Sequence, residues 1–122
     1  MADELQTTIS EFERTRGQMM VVANQKQQIQ FHANSLKAAL DELAKTKEKK
    51  VYKAVGNILI LSDTAEVKKE IEGQKETSDL KVKTLQKQED AFVDKLNRLK
   101  NTIESAQKST KDGSKKDAKS DF

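Results

Sequence analysis

Val51–Leu61, VYKAVGNILIL, is the stretch whose reading decides the fold. Helical periodicity breaks off there, and β-branched and aromatic residues gather: Val51, Tyr52, Val55, Ile58 and Ile60. Gly56-Asn57 separates the two apolar runs. Gly-Asn at that place predicts a two-residue hairpin loop, because glycine supplies the positive φ that a primed turn requires. A two-stranded hairpin is marginal in water by itself, and its two edges offer unpaired N–H and C=O groups to other chains. The hairpin is therefore expected to need partners.

Working outward, the flanking segments are charged and periodic. Towards the N-terminus, Leu5, Ile9, Phe12, Met19, Val22, Ile29, Ala33, Leu36, Leu40 and Leu43 recur at helical spacing, which predicts a helix over about 4–47 with a coiled-coil seam. Arg16 and Lys26 fall on that seam. The successive short steps Arg16–Met19–Val22 read as a stammer beside Gly17, a weak helix former. Glutamine-rich Asn24–Gln30 predicts a soft middle, with better packing near Leu36–Leu43. The run KTKEKK at Lys45–Lys50 reads as a solvated helix end and loop.

After the hairpin, Ser62-Asp63-Thr64 offers helix-capping side chains, with Glu66 in the first turn. A second helix is expected over about 65–108. Its seam is Ile71, Lys75, Ser78, Val82, Leu85, Glu89, Phe92, Leu96, Leu99, Ile103 and Ala106, with Lys75, Ser78 and Glu89 as polar interruptions. Two amphipathic helices of equal length joined by a compact turn fold back as an antiparallel pair, with facing residue numbers summing to about 111. Ile9 then meets Ile103, Phe12 meets Leu99, Met19 meets Phe92, Ile29 meets Val82 and Leu40 meets Ile71. Each arm would reach about 65 Å. The expected class is mainly α: a long antiparallel two-helix coiled coil joined by one β-hairpin, in one domain over 1–108. The lysine- and serine-rich segment 109–122 reads as a disordered tail, with no role for Phe122.

Composition narrows the function. The 122 residues are 35% charged and 34% hydrophobic, with no Pro, Trp or Cys and one His. That suits a narrow buried stripe rather than a thick core. Thiolate chemistry and disulfides are excluded, and His32 reads as a helix-surface residue, so no metal site is expected. Glu70 and Glu72 lie on a solvated helix without a pocket, and no phosphate-binding loop is present. No catalytic residue, cofactor or enzyme activity is expected. A net charge of +3 from 23 basic and 20 acidic residues, interspersed, predicts no nucleic-acid partner. The start does not read as a signal peptide, and no apolar run spans a bilayer, so a cytoplasmic protein without membrane contact is expected.

Apolar residues also gather at the helix ends: Leu5, Ile9 and Phe12 at one, Leu96, Leu99, Ile103 and Ala106 at the other. Fraying there would offer apolar surface to a partner, and Met19 and Met20 add adaptable contacts.

VYKAVGNILI followed by SDTAEVKKEIE, with KTLQKQEDAF on the second arm, resembles the β-type subunit of prefoldin in an archaeal-like form, over roughly Leu5–Ala106. The resemblance implies a hexamer of two α-type and four β-type subunits whose hairpins join into intersubunit β-barrels. The coiled coils would hold unfolded proteins at their tips without ATP and pass them to a group II chaperonin. Assembly residues implied by position are Val51, Tyr52, Ala54, Val55, Ile58, Leu59, Ile60 and Leu61. The client-binding tips are the seven helix-end residues above. The competing reading is a structural coiled-coil adaptor for one fixed partner, which has no use for the apolar hairpin.

Overall fold

The computed structural model describes residues 2–113. Two long helices flank one antiparallel hairpin: α1 (Ala2–Lys45), β1 (Lys50–Val55), β2 (Ile58–Asp63) and α2 (Thr64–Gly113). Asp3 and Glu4 lie in the first turn of α1, where carboxylates complement the helix dipole. At its other end, the Thr46 N–H reaches back to Glu42 O at 3.2 Å. The Thr46 hydroxyl then accepts the Glu48 N–H, turning the chain into β1.

The ladder pairs Val55 with Ile58 and Lys50 with Asp63, which leaves Gly56-Asn57 as the two-residue loop. Gly56 has φ 61°, the left-handed value a primed turn demands. The strands outrun the apolar stretch because their polar ends are held too. Lys50 Nζ lies 3.0 Å from Asp63 Oδ1. Beyond it, Thr64 donates its N–H to Lys49 O at 2.9 Å and its hydroxyl to Glu48 O at 2.8 Å. The first residue of α2 is thus tied directly to the entry of β1.

The chain divides into two compact units. A hairpin unit comprises Asn24–Gln86, and a terminal unit comprises the described parts of Met1–Ala23 and Lys87–Phe122. The core of the hairpin unit is Ala33, Leu36, Val67 and Ser78. Lys26 Nζ donates to Gln86 Oε1 at 2.9 Å across its two helices, a pair whose numbers sum to 112. In the terminal unit Thr15 and Val22 are buried, and Lys95 Nζ stands 3.2 Å from Glu11 Oε1 beside the seam. Both units therefore show the antiparallel pairing.

The seam of α1 differs from expectation at one point. Arg16 is exposed, and Thr15 takes the buried place. Along the seam Leu5, Thr8, Ile9, Phe12, Met19, Lys26, Ile29, Leu40 and Leu43 are half-buried, and Thr15, Val22, Ala33 and Leu36 are buried. The consecutive three-residue steps lie at Ile9–Phe12–Thr15 rather than at Arg16–Met19–Val22. A threonine's methyl group packs in a seam, so a pattern built from apolar residues alone passes over Thr15 and takes Arg16 in its place. Helix α2 follows the expected seam and adds Val67, which is buried.

One further difference lies at the C-terminal end. Residues 109–113, expected to belong to a disordered tail, continue α2 to Gly113. An established helix extends at one hydrogen bond per residue, and no proline stops it before the glycine. Residues 114–122, including Phe122, lie outside the described residues.

Candidate assembly and client-contact surfaces

Strand alternation sorts the hairpin into two faces. Tyr52, Ala54, Leu59 and Leu61 share one with Lys50 and Asp63, and the ladder sets Tyr52 opposite Leu61 and Ala54 opposite Leu59. Every residue of this face is exposed, Tyr52 at 69% and Leu59 at 67%. The other face carries Val51, Lys53, Val55, Ile58, Ile60 and Ser62. It is covered at its base, where Lys53 Nζ sits 2.7 Å from both carboxylate oxygens of Glu70 on α2. Val51 and Ser62 are half-buried there, while Val55, Ile58 and Ile60 near the turn are exposed. Of the eight residues assigned to assembly, seven are exposed and Val51 is half-buried.

Isolated exposed apolar residues are ordinary, but contiguous ones on a sheet with two open edges are not. Tyr52, Leu59 and Leu61 form an apolar patch along one face, and Val55, Ile58 and Ile60 a second on the other. The hairpin thus presents apolar side chains and unpaired backbone groups together, which is the chemistry of strand-to-strand assembly.

The seven residues assigned to client contact lie in the terminal unit. Leu5, Ile9 and Phe12 from α1, and Leu96, Leu99, Ile103 and Ala106 from α2, are all half-buried. They form the seam rather than an open surface. Among the described residues of this unit, the exposed large apolar ones are Met20, Val21 and Val93. Sequence reasoning missed Val21 and Val93 as surface residues, although the signal was present. In MMVV (19–22) a helix turns only two residues onto the seam, so Met20 and Val21 must face outward.

The remaining candidates offer no reaction chemistry. A groove of about 550 Å³ in the hairpin unit is lined by Ile29, Leu80 and Leu85 among glutamines and threonines, with Lys81 its one ionisable side chain. That provides no acid–base pair. His32 is exposed, and Glu70 is engaged by Lys53. Among the described residues no cluster of His, Cys, Asp or Glu fits a metal ion, and no helix is long and apolar enough to cross a membrane.

Comparison with known proteins assigns this arrangement. A family model described as a prefoldin subunit matches residues 6–110, spanning both helices and the hairpin. The chain belongs to the prefoldin family, as a β-type subunit. The prefoldin subunit beta of Archaeoglobus fulgidus is 33% identical over 105 residues, covering 82% of this chain and 90% of that one. That of Thermococcus onnurineus is 31% identical over 108 residues, covering 88% and 93%. The crystal structure of the prefoldin beta subunit from Thermococcus strain KS-1 superposes with a TM-score of 0.80 at 29% identity, over 84% of this chain and 91% of the other. Prefoldins are a chaperone family rather than an enzyme family, and their subunits act in complexes with other prefoldin subunits.

Proposed function

We propose that this prefoldin subunit is an ATP-independent holdase component. It joins an α-type subunit and further β-type copies in a hetero-hexamer through barrels built from their hairpins. It captures unfolded proteins at the coiled-coil tips, through Leu5, Ile9, Phe12, Leu96, Leu99, Ile103 and Ala106, and passes them to a group II chaperonin in the cytoplasm. The observation that carries this reading is the hairpin's fully exposed apolar face together with its open edges. Barrel closure removes both liabilities at once, since a closed sheet has no edge and turns one face inward. An adaptor held by its helices alone would gain nothing from Tyr52, Leu59 and Leu61.

The test separates assembly from capture. A shortened chain lacking residues 1–12 and 99–122 should still assemble with an α-type partner, because its hairpin unit is intact. It should lose most of its ability to suppress aggregation of a chemically denatured client. Full protection by the shortened complex would remove the client-contact assignment. Full assembly of Leu59→Asp with its partners would remove the face of Tyr52, Leu59 and Leu61 from assembly's requirements.

A further inference from the structure

Lys53 is the one charged side chain on its face of the hairpin, where it stands among Val51, Val55, Ile58, Ile60 and Ser62. The ladder sets it opposite Ile60, so the sheet itself gives the ammonium no partner. The partner comes from α2. Lys53 Nζ donates to both carboxylate oxygens of Glu70 at 2.7 Å. With the two side chains 38% and 44% exposed, the pair is open to water and adds little to stability. Its consequence is geometric.

Strand β2 runs straight into α2, since Asp63 ends the one and Thr64 begins the other. Thr64 also holds Lys49 O and Glu48 O, where β1 is about to start. All of these ties lie at the foot of the hairpin, and by themselves they would let it pivot there. From Thr64 to Glu70 is about 9 Å at the helical rise. From Lys50 to Lys53 is about 10 Å at the strand rise. The ion pair joins the ends of these two lengths and closes a triangle on the foot. Among the described residues, no other side-chain hydrogen bond or ion pair links a strand to the body of α2. The hairpin is thereby held with the Val51 and Lys53 face towards α2 and with Tyr52, Ala54, Leu59 and Leu61 turned away from it.

We propose that Lys53 and Glu70 form a positioning brace, which fixes the tilt of the hairpin on α2 and so decides which apolar face is offered to another subunit. With the brace closed, a partner subunit meets Tyr52, Ala54, Leu59 and Leu61. Approach over Val55, Ile58 and Ile60 is opposed, because it strips water from the paired ammonium and carboxylate beside them. That subunits join through their hairpins rests on the function proposed above, whereas the brace is a property of the single chain.

The chain has no cysteine, so nitroxide labels at Ala54→Cys and Lys83→Cys, both exposed positions, report the tilt without interference. Electron–electron distances are read on the full chain without partners, diluted with unlabelled protein. Glu70→Lys should broaden the distance distribution. Lys53→Glu combined with Glu70→Lys exchanges the two charges and should restore the parent's width. Mixed with an α-type partner, Glu70→Lys should assemble about tenfold more weakly by native mass spectrometry, and the exchanged pair should recover to within about threefold. Glu72→Lys, the same charge change on the same helix, should shift assembly by less than about twofold. An unchanged distance distribution in Glu70→Lys overturns the brace, as does an exchanged pair that recovers neither tilt nor assembly. A broadened distribution with parent-like assembly overturns the brace's control of assembly. Absence of any complex from the parent chain strikes the hairpin-assembly reading instead, and the label distances still decide the brace.

Discussion

Single positions carry much of this fold's specification, and Gly56 is the clearest. Its φ of 61° is a conformation that costs an L side chain about 1–2 kcal/mol. A Cβ there would meet nothing within 4 Å, so Gly56→Ala carries only that backbone cost. We predict faster hydrogen exchange of the β1–β2 ladder amides in Gly56→Ala, with α1 unaffected. Unchanged ladder exchange would contradict it. Ala33, at 2% exposure, poses the opposite problem. The register sets it across from Ser78, also buried, so the helices meet there through small side chains. Ala33→Leu should overpack that layer and lower stability to urea by about 1–3 kcal/mol. An unchanged urea midpoint would show that the layer has room. These two residue types also mark how legible the sequence was. Gly56-Asn57 announced its conformation because only one residue type adopts it cheaply. Thr15 did not, because a threonine's apolar half is invisible to a pattern built from apolar residues. Reading Arg16 in its place put the short steps at Arg16–Met19–Val22, further along the helix than Ile9–Phe12–Thr15.

At the scale of elements, periodicity located both helices, and what it missed were their ends and flanks. Val67 is buried near the start of α2, where Thr64 is fastened to Glu48 and Lys49 by hydrogen bonds between loop and helix that no spacing rule reports. Thr64→Val should cost about 1 kcal/mol by removing the hydroxyl bond while keeping the backbone one. Thermal unfolding checks it, and no loss of stability would show the hydroxyl to be dispensable. The helices also retain slack. Gly17 and Gly73 are helical with open space at the Cβ position. Gly73→Ala should therefore raise stability by about 0.5–1 kcal/mol, since alanine loses less backbone entropy on folding. A neutral or destabilising result in denaturant titration would indicate that Gly73 packs against something other than water.

At the scale of the whole molecule, the eleven residues from Val51 to Leu61 set what the chain does with its neighbours. A charge placed on the hairpin tests this only where it spares the hairpin itself. Val55 and Ile58 are cross-strand partners, so acids at both would repel each other directly and unfold the ladder. Leu59 is a better site. It is 67% exposed, faces away from Glu70's side of the sheet and pairs with the small Ala54. Asp at this position leaves the two-stranded ladder's own contacts nearly intact, yet a buried, unpaired carboxylate would be intolerable in any assembly that covers that face. Leu59→Asp is therefore predicted to shift native mass from complex to free chain while far-UV circular dichroism keeps its helical signal. Retention of the parent mass would show that this face stays in water in the assembly. The partners would then meet through the face of Val55, Ile58 and Ile60, because one of the two apolar faces must leave solvent if the hairpin's exposed patch drives association.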